Sequence, residues 1–279
     1  MLFGRPFYAV RLEALPRPEA ELAIAQAVAR VHLCGRGNVE VVGTERATSK
    51  GVVLRVMIDG RPAFAKTYGS PAAFHAESAI YALLEKSELC PNLIASREEV
   101  STLIIEELQT VERRNPAEDW VWLFHSVGRI HGIWERFATS AFGRTADSGD
   151  WRSLRMSDRE ARLATALADP LPRNWHPMSI GDLKLEHVVG PAARRRLIDY
   201  DAAQIGRFDL VDVVLGLARC EVESLEWGDL LKAYDRGRVR EGSQAGPISE
   251  LLEDFHQVVA AVIADSEVGL TTESLAASP

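Results

Sequence analysis

The sequence predicts an α+β protein with a β-rich N-terminal lobe that contains one long helix and a mainly helical C-terminal lobe. Runs of β-branched residues follow an initial helical stretch, whereas helical spacing of apolar residues dominates the second half of the chain. The length of 279 residues suits two domains at about 150 residues each. We therefore predict lobes over 1–108 and 109–279, with the change of pattern near 107–112.

The N-terminal lobe begins with a predicted helix over 18–31, which is followed by a three-stranded meander. Val39–Val42 and Val52–Ile58 are rich in β-branched residues, and the segment GTERATSKG separates them as a predicted loop. An Asp-Gly pair after the second run is a two-residue hairpin signal. The third strand should therefore end at Lys66.

A second helix is predicted over 71–86, and it carries an acidic residue among its apolar ones. Glu77 lies three residues from both Phe74 and Ile80, within the apolar stripe. An unpaired buried carboxylate costs several kcal/mol, so Glu77 should have a cationic partner. Lys66 at the end of the preceding strand supplies one.

The remaining elements are predicted from the same two periodicities. Strands are expected at 93–96, 102–106, 188–189 and 197–198, helices at 120–137, 158–168, 208–220, 224–236 and 247–265, a loop at 138–157 and a disordered tail at 271–279.

Charge and cysteine content exclude several classes of protein. Forty acidic and 32 basic residues give a formal net charge of −8, whereas a nucleic-acid-binding protein needs a basic surface. No apolar run approaches the ~20 residues that a membrane span requires. Three scattered cysteines without a CxxC pair argue against a disulfide framework and a thiolate zinc site. We expect reduced thiols, a cytoplasmic location, and neither a nucleic-acid nor a membrane partner.

Residues that could perform chemistry are concentrated in SIGDLKLEHVV and RRLIDYDAAQIGRFDLVD. Asp182 follows a glycine, His187 comes five positions later, and Asp199 ends an apolar run seventeen residues after Asp182. Two acids and a histidine can hold a divalent cation and leave one carboxylate free as a base. Lys184 adds a positive charge beside them. This combination suits phosphoryl transfer, in which positioning and charge neutralisation supply most of the rate.

The segments GDLKLEHVV and LIDYD resemble the catalytic and metal-binding loops of the aminoglycoside phosphotransferase and choline kinase family, which has a bilobal, protein-kinase-like fold. The usual pattern of that family is HGDxxxxN followed by IDxx, with the acid and its metal ligand at the same five-residue offset. The resemblance extends over most of the chain, because Lys66, Glu77 and the hinge sequence Glu106-Glu107-Leu108 occur in the family's order.

The resemblance implies a role for each residue of the two loops. Asp182 would be the catalytic base that accepts the proton of the acceptor hydroxyl, and Lys184 would neutralise the transferring phosphoryl group. Asp199 and His187 would be the ligands of Mg²⁺ or Mn²⁺. Asp212 resembles a later acid that braces the catalytic loop.

The resemblance also implies a nucleotide site in the N-terminal lobe. Lys66 would bind the phosphates of ATP or GTP, with Glu77 as its ion-pair partner. The backbone of Glu106 and Leu108 in the hinge would bind adenine. Ser49, between the first two strands, would contact phosphate.

Two departures from the family pattern keep an inactive pseudokinase as an alternative. Ile180 stands where the family has His, and His187 stands where Asn is usual. Imidazole is a poorer ligand than a carbonyl oxygen for a hard ion such as Mg²⁺. The retained lysine and acidic residues favour an enzyme over a binding module. Three other histidines, His125, His131 and His176, are assigned no catalytic role.

The implied activity is phosphorylation of a small hydroxylated molecule, with an antibiotic as the leading class. Residues 221–254 contain nine acids and four bases, and this net charge of −5 would attract a cationic antibiotic. An ordinary solvated helical surface would have the same composition. A metabolite kinase that acts on choline, homoserine or a sugar is the second interpretation. The chain would be a monomer or a homodimer.

Overall fold

The structure is a computed structural model whose described residues are 16–34, 37–108, 115–142, 178–181, 183–205, 209–220, 222, 225–243, 246–253 and 255–256. The predicted helix at 158–168, the predicted tail at 271–279 and Asp182 lie outside these residues. No helix in the described part is both long enough and apolar enough to span a membrane.

The helices and strands are named in chain order. They are α1 (Arg17–Leu33), β1 (Val39–Thr48), β2 (Gly51–Ile58), β3 (Arg61–Tyr68), α2 (Pro71–Leu84), β4 (Leu93–Arg97), β5 (Thr102–Glu106), α3 (Pro116–Phe142), β6 (Met178–Ser179), β7 (Val188–Val189), β8 (Arg196–Leu197), β9 (Gln204–Ile205), α4 (Leu210–Arg219) and α5 (Trp227–Arg240). Single 3₁₀ turns lie at Glu98–Val100, Leu185–His187, Ala192–Arg194 and Ile248–Leu251.

The chain divides into two compact units. The first contains residues 1–112 and 186–202, and the second contains 113–185 and 203–279. The short β7–β8 hairpin thus belongs to the first unit, although it lies in sequence between the two segments of the second. The predicted lobes differ from this division at 109–112 and 186–202, and they stay a prediction.

An antiparallel sheet of five strands, in the order β1-β2-β3-β5-β4, forms the centre of the first unit. Val52, Leu54 and Val56 of β2 are buried in a core that includes Ala27 and Val31 of α1. Because successive side chains of a strand point to opposite faces, the alternate residues of β2 lie on the other face. The sheet and the accompanying helices confirm the predicted fold class.

The first hairpin is longer than predicted. β1 continues to Thr48 and β2 begins at Gly51, so that the predicted loop GTERATSKG is mostly strand. Only Ser49 and Lys50 form the turn. The reason is burial, because Ala47 pairs with Val52 and both pack in the core against α1. This burial outweighs the weak strand propensity of the neighbouring polar residues. The third strand likewise continues two residues beyond the predicted end.

Helices dominate the second unit. The long helix α3 runs to Phe142, five residues into the predicted loop at 138–157, with Ala138 fully buried near its end. It packs against α5 through glycines, since a Cβ atom on Gly128 would clash with the carbonyl oxygen of Tyr234. Glycine on a helix face permits this close approach of two backbones.

The other predicted helices of the second unit are present with shifted ends. The predicted helix at 208–220 is α4, and the one at 224–236 is α5, which continues to Arg240. Of the predicted helix at 247–265, the structure describes residues only to 256, and these begin with a 3₁₀ turn.

Candidate active site

Lys66 on β3 lies between two carboxylates of the first unit. Its Nζ is 2.6 Å from Oε2 of Glu77 on α2 and 2.6 Å from Oδ1 of Asp199, which follows β8. Glu77 is 1% exposed, as its place in the apolar stripe of the helix predicts. The structure therefore contains the predicted ion pair and adds Asp199 to it. We call these three residues the Lys66 cluster.

The charges of the Lys66 cluster depend on one another. Burial disfavours the ammonium of Lys66, but Glu77 and Asp199 outweigh burial and raise its pKa. Burial also acts against the carboxylate of Asp199, yet Lys66 and His187 lower its pKa to about 2. Burial raises the pKa of Glu77, and the attraction of Lys66 offsets only part of that effect. Lys66 and Asp199 are therefore ionised at neutral pH.

The backbone of Asp199 is strained. Its φ of 70° lies in the left-handed region, which a residue with a Cβ adopts at a cost of about 1–3 kcal/mol. Neighbouring contacts hold it there. The hydroxyl of buried Tyr200 donates a hydrogen bond of 3.0 Å to the carbonyl of Leu197, and the Tyr200 ring packs edge-on against Tyr81. Strain of this kind is typical of functional positions.

Asp199 and His187 could hold a cation together. Nε2 of His187 is 3.4 Å from Oδ2 of Asp199, while Lys66 occupies the other carboxylate oxygen. A carboxylate oxygen suits Mg²⁺, and a neutral imidazole suits it less well. In the described part of the chain no third acidic, histidine or cysteine side chain completes a ligand set. The two residues thus fit the ion as part of a site.

Asp212 on α4 organises the backbone of the second unit just before Asp182. Its carboxylate accepts hydrogen bonds from Oγ of Ser179 at 2.9 Å, from the backbone N–H of Ile180 at 2.6 Å and from that of Gly181 at 2.9 Å. The bracing contact implied for Asp212 is therefore present. Asp182 itself lies outside the described residues, so the predicted proximity of Asp182 to the metal ligands stays a prediction.

His131 of α3 completes this network, and sequence reasoning assigned it no role. Its Nε2 is 3.1 Å from Oδ2 of Asp212, and its Nδ1 is 2.9 Å from the hydroxyl of Tyr234. Nε2 thus faces a carboxylate, whereas Nδ1 faces a hydroxyl group, which can donate or accept. The signal in the sequence was the same as for Glu77, because a polar residue among the apolar residues of a helix needs a partner. We call Asp212, His131 and the groups bonded to them the Asp212 network.

The hinge at the end of β5 is held by side chains. The carboxylate of Glu106 accepts a hydrogen bond of 2.6 Å from Nδ2 of Asn92, and Glu107 forms a two-bonded ion pair with Arg55 of β2. Leu108 follows, and its side chain lies close to Gly190 in the β7–β8 turn. The adenine-binding role of Glu106 and Leu108 stays a prediction.

Ser49 and Lys184 are the two other predicted site residues that the structure describes. Ser49 is exposed in the β1–β2 turn and makes no contact with the cluster in the part of the chain described. Lys184 is half-buried between β6 and the turn at Leu185–His187, in the second unit. Ile180, which replaces the family's histidine, is 1% exposed and thus serves as a core residue.

Comparisons with known proteins give matches only among solved structures, since no protein-family model and no curated protein matches the chain. The amicoumacin kinase hAmiN, in complex with AMP-PNP, Ca²⁺ and Ami, is 11% identical with a TM-score of 0.56, over 87% of this chain and 85% of that one. Choline kinase LicA from Streptococcus pneumoniae is 16% identical with a TM-score of 0.50, over 88% and 92%. The chain therefore has the fold of these small-molecule kinases, as the resemblance in its sequence predicted.

Proposed function

We propose that the chain is an ATP-dependent O-phosphotransferase that phosphorylates a hydroxyl group of a small molecule, with an antibiotic as the leading substrate class. The observation that carries this proposal is the ammonium of Lys66 between Glu77 and Asp199, at 2.6 Å from each. A lysine of this kind binds nucleotide phosphates, and the adjacent carboxylate holds their cation. The strained backbone of Asp199 supports a functional position.

In the proposed reaction, Asp182 accepts the proton of the acceptor hydroxyl. The acceptor oxygen forms a bond to the γ-phosphorus as the bond between that phosphorus and the bridging oxygen breaks, and ADP leaves. Lys184 neutralises charge on the transferring group. Asp212 and His131 fix the backbone that leads directly into Asp182.

Asp199 and His187 would hold Mg²⁺ or Mn²⁺, which neutralises phosphate charge when bound. The ion pair with Lys66 occupies one oxygen of Asp199 and leaves Oδ2 directed toward His187. The backbone of Glu106 and Leu108 would bind the base of ATP, or of GTP as the alternative.

A metabolite kinase is the second candidate. The two structures above support different acceptors, because one is an antibiotic kinase in complex with AMP-PNP and the other is a choline kinase. Both acceptor classes carry a hydroxyl group, so the same residues of this chain would serve either reaction. Only the identity of the acceptor distinguishes an antibiotic kinase from a metabolite kinase.

The test is a screen of the purified chain with ATP and Mg²⁺ or Mn²⁺ against antibiotics, choline, homoserine and amino sugars. Mass spectrometry should detect one acceptor that gains the mass of a phosphoryl group, about 80 Da. The variant Asp182→Asn, which removes the proposed base, should bind ATP and produce no such shift. Nucleotide binding without turnover of any acceptor would favour a pseudokinase, and absence of nucleotide binding would contradict the proposal.

A further inference from the structure

Arg46 of β1 lies in the same cross-strand row of the sheet as Lys66. Arg46 pairs with Val53 of β2, and Val53 pairs with Lys66 of β3. Directly opposed residues of an antiparallel pair project from one face of the sheet. The side chains of Arg46, Val53 and Lys66 therefore share a face.

The adjacent row shows which face this is. Ala47 pairs with Val52, and both are buried in the core against α1. Because successive residues point to opposite faces, Arg46 and Lys66 lie on the face away from α1. This is the face on which Lys66 meets the carboxylates of Glu77 and Asp199.

A bulge in β1 directs Arg46 to this face. The register shifts between Thr44, which pairs with Leu54, and Arg46, which pairs with Val53. Thr44 and Arg46 are two residues apart and yet lie on opposite faces. A β-bulge commonly re-aims a side chain next to a functional site.

One donor of the Arg46 guanidinium is unsatisfied among the residues that the structure describes. Its Nε is buried and makes no hydrogen bond to the described residues, while the residue as a whole is half-buried. Buried donors are almost always satisfied by a hydrogen bond. Arg46 contributes, after Lys66 and His187, to the low pKa of the Asp199 carboxyl, so its charge lies near that residue. A positively charged side chain with an unsatisfied donor is suited to binding an anion.

We propose that Arg46 binds the phosphate chain of the nucleotide beside Lys66. This inference rests on the proposed function. The planar guanidinium donates paired hydrogen bonds to phosphate, which a lysine ammonium cannot do. Two strand spacings of about 4.8 Å separate Arg46 from Lys66 along their row, so the two cations would contact different parts of one phosphate chain. Arg46, rather than the exposed Ser49, is the phosphate-binding residue of β1 and its turn.

The test compares nucleotides with and without phosphate on the full-length chain. Calorimetry should show that Arg46→Met weakens ADP binding by about 10- to 100-fold, the range for a charge-assisted contact. The same substitution should change adenosine binding by less than about twofold, because adenosine carries no phosphate. Arg46→Lys should give an intermediate loss for ADP. The matched control is Arg61→Met, which alters an exposed arginine of β3 and should leave both affinities unchanged.

Each outcome decides the proposal. Unchanged ADP affinity in Arg46→Met, or equal losses for ADP and adenosine, would overturn it. The unliganded Arg46→Met chain should have an unchanged or higher Tm, because a buried donor without a hydrogen bond has been removed. A variant that melts earlier or does not fold would indicate a structural role instead. A wild-type chain that binds neither compound would overturn the proposed function, whereas tight ADP binding by both wild type and variant would overturn this inference alone.

Discussion

The Lys66 cluster and the Asp212 network are both built around buried acidic residues, but their balance of charges and donors differs. In the first, one ammonium lies between two carboxylates, and the Nε of Arg46 on the same face of the sheet is buried without a hydrogen bond to the described residues. In the second, the carboxylate of Asp212 accepts four hydrogen bonds from its own unit, and Oδ2 of Asp209 lies 3.9 Å from Nδ1 of His131. The first arrangement can take up charged ligands, whereas the second is complete and fixes a segment of backbone.

The largest expected effect is on turnover, and it would distinguish a catalytic role of the Lys66 cluster from the structural role of the Asp212 network. Lys66→Met should lower kcat for the acceptor identified by the screen by about 10²- to 10³-fold, the range for loss of one charge-stabilising group. Glu77 loses its partner but can take up a proton, because burial already raises its pKa. The control is Lys232→Met, since that lysine side chain is 62% exposed. A loss of kcat below tenfold would contradict the assignment of Lys66.

The second effect is on folding and belongs to the Asp212 network. Asp212→Ala leaves two backbone N–H groups, a hydroxyl and an imidazole without their acceptor. We expect the free energy of unfolding to fall by about 3–5 kcal/mol, measured by urea denaturation. Asp229→Ala, at a side chain that is 63% exposed, is the control and should change it by less than about 0.5 kcal/mol. A change below about 1 kcal/mol for Asp212→Ala would show that the network does not stabilise the fold.

These two regions also show how far sequence reasoning reaches. The pair of Lys66 and Glu77 was predictable, because a hairpin signal and an apolar stripe locate each residue independently. His131 was visible as a polar residue in an apolar stripe, but its partners lie 81 and 103 residues away and no local pattern reveals them. Arg46 was hidden for another reason, because a bulge interrupts the alternation on which strand faces are predicted.

A smaller effect depends on pH and concerns Asp209, at the start of α4. Burial raises its pKa to about 6 from 3.8, and its Oδ1 makes no hydrogen bond to the residues that the structure describes. Between these two values the folded chain binds more protons than the unfolded chain, so stability falls as pH rises from about 4 to about 6. Asp209→Asn should therefore stabilise the chain at pH 7 by about 2–3 kcal/mol. At pH 4 it should have little effect.

Thermal unfolding of Asp209→Asn and wild type at pH 4, 5, 6 and 7 measures this difference. The gain should appear progressively across the series. An equal change at every pH would show that Asp209 is ionised in the folded chain throughout, contrary to the effect of its burial.

The smallest expected effect tests whether the Asp212 network contributes to catalysis by positioning the backbone before Asp182. His131→Phe removes the hydrogen bonds to Asp212 and Tyr234 and should cost about 1–2 kcal/mol of stability. It should also lower kcat while leaving the KM for ATP unchanged, because the network holds the backbone before Asp182 and not the nucleotide. His131→Gln, which keeps a donor for Asp212, should restore part of kcat. A rise in the KM for ATP of the same size as the loss in kcat would contradict this role.

The glycine contact between α3 and α5 has a consequence for how this unit can vary. His131 lies three residues after Gly128 on α3, and its hydrogen-bond partner Tyr234 lies on α5. The backbone carbonyl oxygen of Tyr234 is also the atom that a Cβ at Gly128 would meet. A methyl group added at Gly128 would push the two helices apart and lengthen the bond between imidazole and phenol. Any larger residue tolerated at this crossing would therefore require a compensating change in the histidine or the tyrosine. The crossing point and the hydrogen-bonded pair should thus change together in related sequences.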